Sequence, residues 1–183
     1  MRIISGKYRG RALKSLQGEI TRPTTDRVKE SLFDIIQFRV KDGVVLDLFA
    51  GSGALGIECL SRGAKRAVFC DVDKGAVEIV KQNLKNIDGD YKIFNCDFTR
   101  VLKAGDKYDI IFIDAPYRSG LAYKALELIV SEGVLEEDGI ICCERLFELP
   151  VEIPSGLERR DSRKYGITAL DFIGYAKNGS NNG

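Results

Sequence analysis

The stretch Gly43-Val-Val-Leu-Asp-Leu-Phe-Ala-Gly-Ser-Gly-Ala-Leu-Gly-Ile-Glu-Cys-Leu-Ser-Arg-Gly-Ala64 decides how the rest of the chain folds. Val44, Val45, Leu46 and Leu48 form a short apolar run, the length of a strand buried on both faces. The run stops at Gly51-Ser-Gly53, after which Leu55, Ile57, Cys59 and Leu60 resume at roughly helical spacing. A strand feeding a helix through a glycine turn leaves unpaired helix N–H groups at the C-terminal edge of a sheet. Open α/β folds bind their ligands there. Without a Cβ, such a turn can pass close to the ligand.

Gly51-x-Gly53-x-x-Gly56 also matches the dinucleotide fingerprint, so two nucleotide cofactors compete for this turn. Asp47 separates them. A carboxylate four residues before the first glycine sits badly beside a pyrophosphate, and well beside an ammonium and a sulfonium. That points to S-adenosylmethionine. A tight turn holding no ligand is the plain alternative.

Working outward, Pro23-Thr-Thr-Asp26 offers an N-cap for a helix whose stripe is Val28, Leu32, Ile35 and Ile36, running to about Phe38. Downstream, Ala67–Asp71, Tyr91–Asp97, Tyr108–Asp114 and Gly139–Glu144 read as strands, with helices over Gly75–Asn86 and Leu121–Val130 between them. Leu157–Lys164 and Ile167–Tyr175 read as two last strands joined at Gly166. Alternation of this kind predicts a doubly wound, mainly parallel α/β sheet, with the last two strands as an antiparallel hairpin at one edge. Before the first helix, Arg2-Ile-Ile-Ser-Gly6-Lys-Tyr-Arg-Gly10 predicts a short hairpin, and Gly18 to Arg22 a loop.

The 183 residues suit one α/β domain with a small appendage. No apolar run approaches a membrane span and no signal-peptide core opens the chain, so a cytoplasmic location is expected. Charge is distributed unevenly. Residues 1–29 carry eight Lys/Arg against Glu19 and Asp26, whereas the whole chain is nearly balanced at +1. A basic arm on a mildly acidic body suits a polyanion met at one end; a solvated surface is the alternative. Cys59, Cys70, Cys96, Cys142 and Cys143 include no Cys-x-x-Cys pair and sit in apolar patterns, so no metal is expected. Histidine is absent, which removes imidazole as base or ligand.

Asp47, Asp71, Asp97 and Asp114 each close or follow a strand, and strand ends align along one edge of a parallel sheet. Asp71, twenty residues beyond Gly51, is placed to accept both hydroxyls of a ribose. Asp73 starts a helix and reads as an N-cap. Asp97 could accept from an adenine amine, although Asp is also common in turns after strands. Asp114-Ala-Pro-Tyr117 offers a carboxylate and a carbonyl to one exocyclic amine beside an aromatic ring; a packed proline turn is the alternative.

With these residues together, the chain resembles the class I S-adenosylmethionine-dependent methyltransferases, specifically the bacterial 16S ribosomal RNA guanine-N2 methyltransferase family. The likeness rests on Arg2-Ile-Ile-Ser-Gly-Lys-Tyr-Arg-Gly-Arg11, Arg22-Pro-Thr-Thr-Asp-Arg-Val-Lys-Glu-Ser-Leu-Phe33, Asp47-Leu-Phe-Ala-Gly-Ser-Gly-Ala-Leu-Gly-Ile-Glu58 and Ser61-Arg-Gly-Ala64. The family has Asp-Pro-Pro-aromatic at its catalytic turn; here Ala115 replaces the first proline and keeps the carbonyl.

The resemblance implies a seven-stranded Rossmann-like methyltransferase sheet over residues 21–177, a basic β-hairpin over 1–20 and a disordered tail over 178–183. It implies catalytic roles for Asp114, Ala115, Pro116 and Tyr117. Asp47, Phe49, Gly51, Ser52, Gly53, Asp71, Val72, Asp97, Phe98 and Asp114 would bind S-adenosylmethionine. Arg2, Lys7, Arg9, Arg11, Arg22, Thr24 and Arg27 would meet ribosomal RNA, naked or in an assembled small subunit. Methylation of adenine N6 in another nucleic acid, an NAD-dependent oxidoreductase and a silent RNA-binding protein on the same fold are the alternatives.

Overall fold

The computed structural model describes residues 1–15 and 26–177. The expected loop at Gly18 to Arg22, the expected cap at Pro23 to Thr25, the tail from Asn178, and the candidate RNA contacts Arg22 and Thr24 lie outside the described residues.

The strands are β1 (Val44–Asp47), β2 (Arg66–Asp71), β3 (Asp90–Asn95), β4 (Tyr108–Ile113), β5 (Leu135–Leu146), β6 (Leu157–Tyr165) and β7 (Thr168–Tyr175). They form one sheet in the order β3-β2-β1-β4-β5-β7-β6. The first five strands run parallel, and β7 lies antiparallel to both β5 and β6. From β1 the chain moves outward through β2 and β3, then returns to the other side of β1 for β4. The strand order therefore reverses between β1 and β4, and a crevice opens beyond their C-terminal ends.

Side-chain alternation sends successive strand residues to opposite faces, and both faces are covered. Val45, Ile110, Phe112, Cys142 and Phe172 pack beneath α1 (Asp26–Val40), whose stripe of Val28, Leu32, Phe33, Ile36 and Val40 comes from its 3.6-residue period. On the same side, Ala67 and Phe69 meet α2 (Ala54–Ser61) and α3 (Lys74–Leu84). Leu46, Val68, Ile111, Ile113 and Ile141 face the other way, onto α4 (Phe98–Leu102) and α5 (Leu121–Glu132). Cys59, Cys70, Cys142 and Cys143 are buried in these layers, and burial holds their thiols above the usual range.

One boundary differs from the sequence reading. Strand β5 begins at Leu135 rather than Gly139, because Leu135 already pairs with Tyr108 before a bulge shifts the register. At the N-terminus two short arms lie antiparallel around bends and turns from Ser5 to Gly10: Arg2 bridges Ala12, Ile3 N–H donates to the Arg11 carbonyl at 2.9 Å, and Leu13 N–H to the Met1 carbonyl at 3.0 Å.

The backbone between and beside these arms is held by α2. Ile4 N–H and Ser5 N–H donate to the Glu58 carboxylate at 2.8 and 2.9 Å. Lys7 N–H donates to the Ser61 carbonyl at 2.8 Å, and Tyr8 N–H to Ser61 Oγ at 3.0 Å. Gly6 crosses Ser61 so closely that a Cβ would lie 1.9 Å from its carbonyl oxygen. Ile3 and Leu13 finish the attachment by entering the core between α2 and α3. No helix among the described residues is long and apolar enough to cross a membrane.

Candidate active site

A cavity of about 750 Å³ occupies the crevice at the reversal of strand order. Asp47, Asp71, Asp97 and Asp114 all line it, so parallel pairing does bring the four strand-end acids together. Phe49, Gly51, Ser52, Val72 and Phe98 also line it, whereas Gly53 does not. Gly53 instead shapes the turn, donating to the Ala50 carbonyl at 2.7 Å and accepting from Ile57 N–H at 2.9 Å.

Two amides at the glycine turn, those of Gly51 and Gly56, are taken by carboxylates rather than left for a ligand. Asp71 Oδ2 accepts from Gly51 N–H at 2.8 Å, while Asp71 Oδ1 accepts from Asp73 N–H at 2.9 Å. Asp47 Oδ2 accepts from Gly56 N–H at 3.0 Å. Carboxylates take these two donors of the turn, so a pyrophosphate would meet charge repulsion there. The same carboxylates suit a ligand with hydroxyls and positive charge. Desolvation raises the Asp47 pKa to about 7, partly offset by the Gly56 hydrogen bond, with the charge of Asp71 adding to the rise.

Asp71 and Asp97 are both anchored locally. Asp73 caps α3 by accepting from Gly75 N–H at 2.6 Å, as expected. Asp97 caps α4, with Oδ1 accepting from Thr99 N–H at 2.9 Å. Thr99 also holds the Asp97 pKa below the usual value. A carboxylate has about four acceptor positions, so this cap leaves acceptor capacity toward the cavity. Phe49 and Phe98, with ring centroids 5.2 Å apart, form an apolar wall beside it. Such a slot could hold a planar heterocycle.

Across the crevice, β4 ends and Asp114-Ala-Pro-Tyr117 follows. Ala115 is buried while Asp114 is exposed to the cavity. Ser119 Oγ donates to the Pro116 carbonyl at 2.6 Å and fixes the far side of the turn. Tyr117 Oη donates to Glu144 Oε1 at 2.8 Å. Burial, the Glu144 charge and that hydrogen bond raise the Tyr117 pKa, so the phenol keeps its proton.

Two cavity residues were not singled out from the sequence. Glu144 sits near the C-terminal end of β5, and an acid at a predicted strand end was the same signal that marked the four aspartates. Lys29 is fully buried on α1, donating to the Arg2 carbonyl at 2.6 Å and pairing with Glu58 at 3.0 Å. Glu58 is itself buried and also pairs with Arg62 at 2.8 Å. Among the described residues no group of three or more His, Cys, Asp or Glu is placed to hold a metal ion.

The basic arm divides. Arg2 pairs with Asp26 at 3.2 Å and Lys7 with Asp88 at 2.7 Å. Arg11 donates to the Asn86 carbonyl at 3.2 Å and to the Lys85 carbonyl, where cations favour the end of α3. These three are engaged with the body of the protein. Arg9 and Arg27 are exposed and make no ion pair among the described residues.

Comparisons agree with this geometry. A family model described as "Conserved hypothetical protein 95" matches residues 1–174. A Bacillus subtilis protein named "Putative rRNA methyltransferase YlbH" is 43% identical over 187 residues, covering 98% of this chain and 100% of that one. "Ribosomal RNA small subunit methyltransferase D" of Haemophilus influenzae is 34% identical over 175 residues, covering 92% and 91%. Among solved structures, "Putative methyltransferase yhhF from Escherichia coli" superposes with a TM-score of 0.86 at 32% identity, covering 96% of this chain and 97% of that one.

Proposed function

This chain belongs to the family described as conserved hypothetical protein 95, and we propose that it transfers a methyl group from S-adenosylmethionine to the exocyclic N2 amine of a guanine in small-subunit ribosomal RNA. One observation carries the reading: the Asp114–Tyr117 turn and the carboxylate-filled glycine turn face a single cavity. The relatives named as ribosomal RNA methyltransferases supply the substrate class.

When bound, S-adenosylmethionine supplies a methyl group already activated on a sulfonium. Asp47 would face its positive charge, Asp71 its ribose hydroxyls, and Asp97 with the Phe49–Phe98 wall its adenine. Filling of Gly51 N–H and Gly56 N–H by carboxylates speaks against NAD. With the electrophile provided, the protein's work is orientation, which can supply roughly 7–11 kcal/mol of a barrier.

Guanine N2 is a weak nucleophile because its lone pair is delocalised into the ring. Asp114 and the Ala115 carbonyl would accept its two hydrogens and localise that pair toward the methyl group. Asp114 would accept the proton that N2 gives up on methylation. The base must leave the RNA stack to reach this edge. Tyr117 would then stack on it, an interaction worth about 1–3 kcal/mol per base. The exposed cations Arg9 and Arg27, with Arg22 and Thr24, would meet phosphates and add affinity rather than sequence choice.

The test is transfer of labelled methyl to small subunits and to free RNA from cells lacking this protein, followed by digestion to nucleosides. Label in N2-methylguanosine supports the proposal. Label in N6-methyladenosine, or none in either substrate, contradicts it.

A further inference from the structure

We propose that Glu144 selects guanine over other 2-aminopurines by accepting a hydrogen bond from ring N1–H; the inference rests on the guanine-methylating function above and names how that site reads its base. Parallel pairing of β4 and β5 matches Ile113 with Cys143, so the next register position sets Asp114 beside Glu144 at the crevice. Glu144 is half-buried and lines the cavity together with Asp114 and Tyr117. It also lines an adjoining cavity of about 460 Å³ that shares Ala115, Pro116 and Tyr117. Glu144 therefore borders both spaces, beside the Asp114 turn where the base would be held.

The chemistry of the base then decides its role. If Asp114 and the Ala115 carbonyl take the two N2 hydrogens, the group next to the amine on the Watson–Crick edge is ring N1. In guanine N1 carries a hydrogen and donates; in 2-aminopurine and in adenine N1 is a bare acceptor. A carboxylate is an acceptor only, with about four lone-pair positions, and the Tyr117 hydroxyl takes one of them. Glu144 thus accepts from guanine N1–H and repels the lone pair of a base that lacks it. The Tyr117 contact aims the carboxylate, because the phenol donates to Oε1 at 2.8 Å.

Glu144→Gln tests this without disturbing the Tyr117 contact, since the amide oxygen still accepts from the phenol while the amide nitrogen becomes a donor. Small-subunit RNA is ligated with guanine or 2-aminopurine at the nucleotide that the wild type methylates, and kcat/KM is measured for both. The wild type should prefer guanine by about 10–100-fold, the discrimination of one good base contact. Glu144→Gln should lose activity on guanine and gain it on 2-aminopurine, inverting or levelling the ratio. Tyr117→Phe keeps the stacking ring but loses the hydroxyl that aims the carboxylate, so it should narrow the guanine preference and leave turnover on 2-aminopurine little changed. An unchanged ratio in Glu144→Gln overturns the role of Glu144 while leaving the methyltransferase reading intact. Absence of methyl transfer by the wild type to the guanine RNA overturns both.

Discussion

The Asp71 carboxylate at the end of β2 and the Gly51 amide in the turn after β1 are joined by a hydrogen bond of 2.8 Å. One side chain thereby shapes the glycine turn and presents acceptors to whatever sits above it. A site built this way excludes phosphate and welcomes hydroxyls. Asp71→Ala is expected to weaken S-adenosylmethionine binding by roughly 1–3 kcal/mol, the usual loss for charge-assisted hydrogen bonds. Isothermal calorimetry checks this, and NADH should show no binding to either protein.

Asp47 imposes a pH dependence of known sign. Burial raises its pKa from 3.8 to about 7, so the folded protein holds the proton more tightly than the unfolded chain. Its contribution to stability is therefore greatest below about pH 4, falls as pH rises toward 7, and levels off above. A shift of this size corresponds to on the order of 4 kcal/mol across the window. Asp47→Asn keeps an acceptor for Gly56 N–H and removes the titration. The stability difference between the two proteins, from denaturant melts at pH 4 to 8, should grow with pH in favour of the variant. A difference independent of pH would contradict it.

The arm's two outer arginines should behave differently. Arg9 is exposed, whereas Arg11 is bonded to the carbonyls that end α3. Arg9→Ala is expected to flatten the salt dependence of RNA binding by about one log–log unit, with stability unchanged. Arg11→Ala is expected to lower the melting temperature with a smaller effect on the salt slope. Filter binding across a salt series, with thermal melts, separates the two.

Lys29 joins the arm to the cavity through Glu58 and the Arg2 carbonyl. Lys29→Met leaves Glu58 buried with one fewer cation, and breaking a buried pair costs about 3–5 kcal/mol. Equilibrium unfolding should show that loss. Hydrogen exchange should quicken at the Ile4 and Ser5 amides, whose acceptor is Glu58.

Much of this was legible in the sequence, for identifiable reasons. Asp47, Asp71, Asp97 and Asp114 could be grouped because a parallel sheet aligns strand ends, and strand ends are marked by where apolar runs stop. The β6–β7 hairpin followed from the break at Gly166. What sequence did not disclose depends on contacts between distant residues. Nothing local in Ile4-Ser5 announces that their amides will bond Glu58. The same holds for Arg11, which reads as a free cation until α3 is folded against it. In the sequence Lys29 counts only as one cation of the basic N-terminal stretch, and the approach of Glu58 accounts for its burial.

The central claim is that Asp114 orients the target amine and accepts its proton. Single-turnover methyl transfer to small-subunit RNA by Asp114→Ala tests it most directly, with calorimetry confirming that S-adenosylmethionine still binds. Loss of the orienting carboxylate should lower the rate by about 10²–10³, the loss typical of one preorganised group. A variant that binds cofactor and RNA and turns over at the wild-type rate would contradict it.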